Sequence, residues 1–404
     1  MSKTSLFTSI AALVTVAAGA AATAQSRPGA AGGTVTYWMS AETTSGLAAM
    51  SQSGRPTMAS ALSGRMSSPS YVRNLTLQLG SPRRAAGAPA AEHLPPSALG
   101  AGPSLPLLSP ERAPVQPQNH TAPTYPQGQP QGRILIYWGC GERARPGQPF
   151  EIDLARLRPG QMPPAMAQMA IQAMNPPSAA TSTTYGEWPN QRSQERVPAN
   201  GSLVGAHAIR GNYTPEINFS LAANNDFLAP IAITRNSPAP SRAVPVAWQS
   251  VPGARAFFMM ATGAAQDGTI VMWSSSEVQF SQMGVLDYLS DGEISRLLQQ
   301  RVLLPAATTQ CTVPAEVAGR VQAASLMLTG FGGEANFSTP RPAGAARSWR
   351  PDWNVKLRTR TAYMGMLGQD MEAMMRGGEA RDREQQRPEQ PQRRRSLRDR
   401  ILGL

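Results

Sequence analysis

The stretch "PDWNVKLRTRTAY", residues 351–363, alternates side chains of opposite character. Successive residues of an extended chain point to opposite sides of a sheet. Trp353, Val355 and Leu357 therefore share one face, and Lys356, Arg358 and Arg360 share the other. The run predicts a strand with a core face and a basic row. Such a row is either a solvated face or a seat for an anionic glycan or lipid head group.

The same alternation recurs upstream. "GTVTYWMSAETTSG" (33–46) sets Val35, Tyr37 and Met39 against Thr34, Thr36 and Trp38, and "YVRNLTLQLGS" (71–81) sets Leu75, Leu77 and Leu79 against Asn74, Thr76 and Gln78. "RILIYW" (133–138) ends in Tyr-Trp, as residues 34–38 do. That likeness is either a weak internal repeat or coincidence between two strands. "PGQPFEIDL" (146–154) turns at Pro146-Gly147 and returns through Phe150, Ile152 and Leu154, which predicts a hairpin.

Residues 201–282 hold six strand-like runs separated by turn signals such as Gly211-Asn212, Pro252-Gly253 and Asp267-Gly268, a spacing that predicts a β-sandwich. In "SDGEISRLLQQRVLL" (290–304), Ser290 and Glu293 stand at capping-box spacing and predict a helix. "QCTVPAEV", "ASLMLTGFGGEANFS" and the stretch quoted first then predict a small β element packed on it.

Elsewhere strand and helix signals fade. Pro95, Pro96, Pro103, Pro106, Pro114 and Pro117 fall within 81–130, which reads as linker. Residues 159–200 read as connector, with a short helix in "AMAQMAIQAM" (165–174). The expected fold class is mostly β: tandem β-sandwich-like modules, one or two short helices, a long disordered proline-rich linker and a disordered C-terminal tail. Its divisions are a signal peptide (1–24), an N-terminal β segment (25–80), the linker, a hairpin completing the N-terminal module (131–158), the connector, the sandwich, a helix with its small β element (283–375) and a disordered basic tail (376–404). In that tail, "RRRSLRDRILGL" (393–404) reads as frayed or as a marginal interfacial helix.

Lys3 followed by "LFTSIAALVTVAAGAAATA" (6–24), ending in Ala22-Thr23-Ala24, has the form of a signal peptide cleaved after Ala24. The expected location is periplasmic or secreted, with no membrane-spanning segment in the mature chain. The net charge of +12 comes from 37 basic residues, of which only Lys3 and Lys356 are lysine. Alanine, glycine, proline and arginine in excess reflect a GC-rich coding sequence, so the charge names no specific nucleic-acid partner. It still favours encounter with anionic surfaces.

Most familiar chemistries lack their residues. No Gly-x-Ser-x-Gly elbow occurs, and of the histidines His93 and His120 fall in the predicted linker while His207 reads as a half-buried strand residue. No His or Cys pair has zinc spacing, and no lysine follows a glycine-rich loop to hold a phosphate. No cofactor is expected. The carboxylates Glu142, Asp153, Glu187 and Asp226 are candidates for glycosidase-like paired acids, but they occupy separate segments. Met371, Met374 and Met375 suit soft Cu(I) coordination or the apolar face of a short helix.

Two cysteines remain, Cys140 within Gly139-Cys140-Gly141-Glu142, and Cys311. In an oxidising compartment an even count favours a bridge; two separate buried thiols are the alternative.

"WQSVPGARAFF" (248–258) followed by "DGTIVMWSS" (267–275) resembles a fibronectin type III or immunoglobulin-like module over about forty residues, 240–280. The resemblance implies a buried Trp248, an aromatic Phe257 one strand later, and a spacer or binding platform. Through "YWGCGE", "LSDGEISRLL", "CTVPAEV" and "PDWNVKLRTR" the mature chain also resembles uncharacterised exported proteins of GC-rich Gram-negative bacteria. The expected role is non-catalytic binding or scaffolding in the cell envelope, toward an envelope protein, a glycan or an anionic lipid. A Met-rich periplasmic copper protein and a carboxylate-based glycan-acting enzyme are the alternatives.

Overall fold

The computed structural model describes residues 33–52, 71–110, 132–156, 171–279 apart from 173 and 194, and 287–369. In chain order the first strands are β1 (Val35–Gly46), β2 (Tyr71–Ser81), β3 (Ala91–Leu94), β4 (Leu105–Pro106), β5 (Arg133–Trp138) and β6 (Phe150–Asp153). Next come β7 (Thr184–Trp188), β8 (Gly205–Gly211), β9 (Ile217–Leu221), β10 (Ile233–Asn236), β11 (Val244–Trp248) and β12 (Ala256–Ala264). The last are β13 (Ile270–Ser274), β14 (Leu304–Pro305), β15 (Gln310–Val313), β16 (Ala323–Ser338) and β17 (Trp353–Met366). Among the described residues three helices accompany them: α1 (Leu47–Gln52), α2 (Asp291–Gln299) and α3 (Ala315–Ala318).

The fold is mostly β, as the alternation predicts, with the strands in three sheets. A ten-stranded sheet runs β6-β5-β13-β12-β16-β17-β1-β2-β7, with β14 beside β12. Two smaller sheets, β4-β3-β8-β9 and β10-β11-β15, complete the structure.

These pairings correct the predicted divisions. The stretch 351–363 does not close a small C-terminal element on a helix. It lies in β17, in the middle of the largest sheet, antiparallel to β16 and parallel to β1 from Val35↔Trp353 to Gly46↔Met364. Residues 25–80 and 131–158 do not form one module either. β1 and β2 join β17, whereas the β5–β6 hairpin stands at the far edge beside β13.

The span 201–282 does not enclose a sheet of its own. β8 and β9 share a sheet with β3 and β4, β10 and β11 share one with β15, and β12 and β13 belong to the large sheet. Periodicity reports that a segment is extended and which side is apolar; it carries no record of the partner strand.

In two segments read as unstructured, the described residues form strands. Within 81–130, β3 pairs with β8 from Ala91↔Gly211 to Leu94↔Ala208, and Leu99, Leu105 and Leu107 are buried. Prolines here flank or end short strands, where a missing N–H breaks no ladder. Within 159–200, β7 pairs with β2 and buries Trp188. Residues 1–32, 53–70, 111–131, 157–170, 280–286 and 370–404 lie outside the described residues. With them go the predicted signal peptide, His120, most of the "AMAQMAIQAM" helix, the three copper candidates and the tail.

The odd-numbered side chains of β1, β2 and β17 lie on the core face of the large sheet. Tyr37, Met39, Leu77, Leu79, Val355 and Leu357 pack against Leu105, Ile209, Ile217 and Leu221 of the four-stranded sheet. Farther along that sheet, Phe257, Met259, Trp273 and Leu328 pack against Val244, Val246 and Val313 of the three-stranded sheet. On the opposite side, Ala256, Phe258 and Phe331 meet Ile294 and Leu297 of α2. That helix starts as its sequence predicts, with Ser290 Oγ accepting the Glu293 N–H at 3.1 Å. The carboxylate of Glu293 turns instead to Arg296 and the Gln172 N–H.

β16 carries a bulge between Phe331 and Glu334. Gly332 is required there, because a Cβ at that position would collide with Thr359. Among the described residues no helix is long and apolar enough to cross a membrane.

Candidate functional site

The even-numbered face of β1, β16 and β17 gathers the polar residues. The register sets Trp38, Ser40 and Glu42 beside Lys356, Arg358 and Arg360, and Asn336 and Glu334 beside Lys356 and Arg358. The basic row therefore faces a matching row of acceptors. Lys356 Nζ lies 3.0 Å from Glu334 and 5.4 Å from the Trp38 ring centre, and Arg360 Nη2 lies 3.1 Å from Glu42.

Arg358 is the most enclosed of the three, with 7% of its surface exposed. Its Nε donates to Ser40 Oγ at 2.7 Å, and its guanidinium lies 5.1 Å from the ring of Trp38 and 4.3 Å from that of Tyr288. Nη1 has no acceptor. Burial lowers the pKa of Arg358, and burial raises that of Tyr288, so the tyrosine stays neutral beside the cations. The predicted row is thus largely covered and internally compensated.

At the end of this face the cover stops. A cleft of about 360 Å³ is lined by Thr36, Trp38, Asn336, Ser338, Asn354 and Lys356, together with backbone neighbours on β16 and β17. Lys356 is the member of the basic row that reaches it, with its side chain 23% exposed. The cleft offers the ammonium of the Lys356–Glu334 pair, an indole, two amides and two hydroxyls. That set suits a ligand with a negative charge and several hydroxyl or ether oxygens. Trp38 was legible in the alternation as the residue opposite Tyr37 and Met39; Asn336 was not, because its strand carried no sign of its neighbour.

The carboxylate candidates do not converge. Asp153 ends β6 and Glu187 lies on β7, which are the two outer strands of the large sheet. Glu142 follows β5, where its carbonyl accepts the Ala315 N–H, and Asp226 accepts from Ser202 Oγ and the Leu203 N–H below the four-stranded sheet. Among the described residues no group of three His, Cys, Asp or Glu side chains is placed to hold a metal ion.

The cysteines do meet. Cys140 and Cys311 form a disulfide with Cα atoms 5.2 Å apart, tying the end of β5 to β15 across a separation of 171 residues. Gly139, at φ +92°, supplies the left-handed turn that a side chain would resist. Trp248 and Phe257 also meet, at 5.6 Å between ring centres, from strands of different sheets.

His93 overturns its sequence reading, and His207 lies on a strand as read but is more deeply buried. His93, placed in a linker with nothing to hold it, is fully buried on β3, and His207 on β8 is 2% exposed. His93 Nδ1 bonds the Tyr37 hydroxyl, His93 Nε2 lies 2.9 Å from His207 Nδ1, and His207 Nε2 lies 2.7 Å from the Leu203 carbonyl.

No protein-family model, curated protein or solved structure matches the chain.

Proposed function

We propose that this chain is an exported, non-catalytic protein of the cell envelope, cleaved after Ala24, with a binding or scaffolding role, and that the cleft beside Lys356 seats an acidic glycan. The observation that carries the ligand reading is the meeting of Lys356, Trp38, Asn336 and Asn354 at one opening on an otherwise covered face. A carboxylated sugar matches each part: its charge faces Lys356, its hydroxyls face the amides, and its apolar ring edge faces the indole. The disulfide favours an oxidising location. Dispersal of the four carboxylates gives the glycan-acting enzyme no support.

Calorimetric titration of the purified mature chain with a polyuronate oligosaccharide and its neutral counterpart tests the proposal. The acidic ligand binds, the neutral one binds at least tenfold more weakly, and Lys356→Ala removes the difference. Equal affinity for both ligands, or binding unaffected by Lys356→Ala, overturns it. Co-sedimentation with an envelope fraction tests the location of the role. A chain that stays wholly in the supernatant at low salt contradicts it.

A further inference from the structure

His93 and His207 stand on neighbouring strands of the four-stranded sheet, while Tyr37 reaches them from β1 of the large sheet. The direction of every bond in this row follows from one end. The Leu203 carbonyl carries no proton, so His207 Nε2 donates to it at 2.7 Å. A neutral His207 then keeps only a lone pair on Nδ1, which must accept from His93 Nε2–H across 2.9 Å. His93 Nδ1 is the remaining lone pair, and the Tyr37 hydroxyl donates to it.

Both rings are thus neutral with the proton on Nε2, and each donor has one acceptor. Added protons have no such place. A proton on His207 Nδ1 sets N–H against N–H; one on His93 Nδ1 reverses the Tyr37 hydroxyl and turns its hydrogen away from its acceptor.

The surroundings do not compensate a charge. The titratable groups acting on the row are the two imidazoles, Tyr37 and, through Tyr37, the phenol of Tyr213. From β9 the Phe219 ring stacks on His207 at 5.0 Å, and from β16 Phe337 lies 5.3 Å behind it. None of these groups carries the negative charge that an imidazolium would need in a buried site.

We infer that the Tyr37–His93–His207 row is an acid-release latch: neutral, it fastens the four-stranded sheet to the core face of the large sheet, and mild acid undocks it. Burial lowers the pKa of both histidines, and His207 adds to the lowering at His93. An undocked histidine takes up its proton at about pH 6.5, whereas the docked one does not. Docking is therefore at full strength above about pH 7 and weakens as the pH falls below 6.5. The loss is up to about tenfold in the docking equilibrium per histidine and per pH unit.

Hydrogen exchange of the mature full-length chain, corrected for intrinsic rates, reads the latch directly. From pH 7.5 to 5.5, amides of β3 and β8 lose up to about 100-fold in protection relative to those of β12 and β16. An unchanged ratio overturns the inference. His93→Gln, which cannot take up a proton, cuts that dependence to that of one histidine or less; a variant retaining the full dependence also overturns it. Should this variant fail to fold, nitrogen NMR of the wild-type imidazoles decides. Both rings show protonated Nε2, with no titration between pH 8 and 6.5 in the folded chain. A ring at either position that titrates near pH 6.5 while folded ends the proposal.

Discussion

Two polar clusters lie back to back across β1, and they are buried by opposite means. On the core face, Tyr37, His93 and His207 are neutral and pass hydrogen bonds in one direction. On the other face, Lys356 pairs with Glu334 and Arg360 with Glu42, while Arg358 meets the Ser40 hydroxyl and two aromatic rings. Neutral burial requires each proton to have one acceptor, so it fails through protonation. An enclosed ion pair depends on both its members, so this side fails through deletion of one partner. One strand supports both because its side chains alternate.

Four experiments break or sharpen this comparison. The largest effect comes from the tie that belongs to neither face. Replacing Cys140 and Cys311 by serine releases a 171-residue separation and lowers unfolding free energy by about 5 kcal/mol on the chain-entropy model, measured by urea denaturation. Both clusters then lose stability together, because the bridge acts on the unfolded chain.

Glu334→Ala follows, at about 2 kcal/mol, since it leaves Lys356 half-enclosed beside Trp38 without its carboxylate. Adding Lys356→Met to it recovers most of that loss in the same assay; a double variant as unstable as the single one would show that the pair does not act through charge. Tyr37→Phe tests the neutral side and costs about 1–2 kcal/mol, because His93 Nδ1 loses its donor in a fully buried site. Its unfolding midpoint is expected to be insensitive to added salt, in contrast to that of Glu334→Ala.

The smallest effect is the least intuitive. Arg358→Met changes stability by less than about 1 kcal/mol, because the cation it removes is enclosed and lacks an acceptor at Nη1. Thermal unfolding shows this, and a loss beyond about 2 kcal/mol would mean that the aromatic contacts with Trp38 and Tyr288 outweigh the cost of enclosing the charge.

Much of the local structure was legible. The alternation in 35–46, 71–81, 324–338 and 353–363 marks strands and assigns Tyr37, Leu77 and Leu357 to the buried side. The Ser290 cap and the 133–154 hairpin also follow from short-range chemistry, and the even cysteine count favoured, without deciding, the bridge that Cys140 and Cys311 form. The segment around His93 was hidden for a definite reason. β3 has four residues between proline-rich flanks, too few for a period, and its order comes from β8 more than 100 residues later. The basic row was seen correctly as a row. Its burial was not, because the compensating residues lie on β1 and β16.

The amino-acid sequence by itself determined a mostly β chain with two-faced strands and a capped helix, because each of these depends on residues near one another. Only the tertiary structure decided that β1 pairs with β17, that His93 meets Tyr37 and His207, and that Lys356 opens into a cleft with Trp38. Those outcomes depend on strand order and register, which are settled by burying all the apolar faces at once and leave no mark on any single segment.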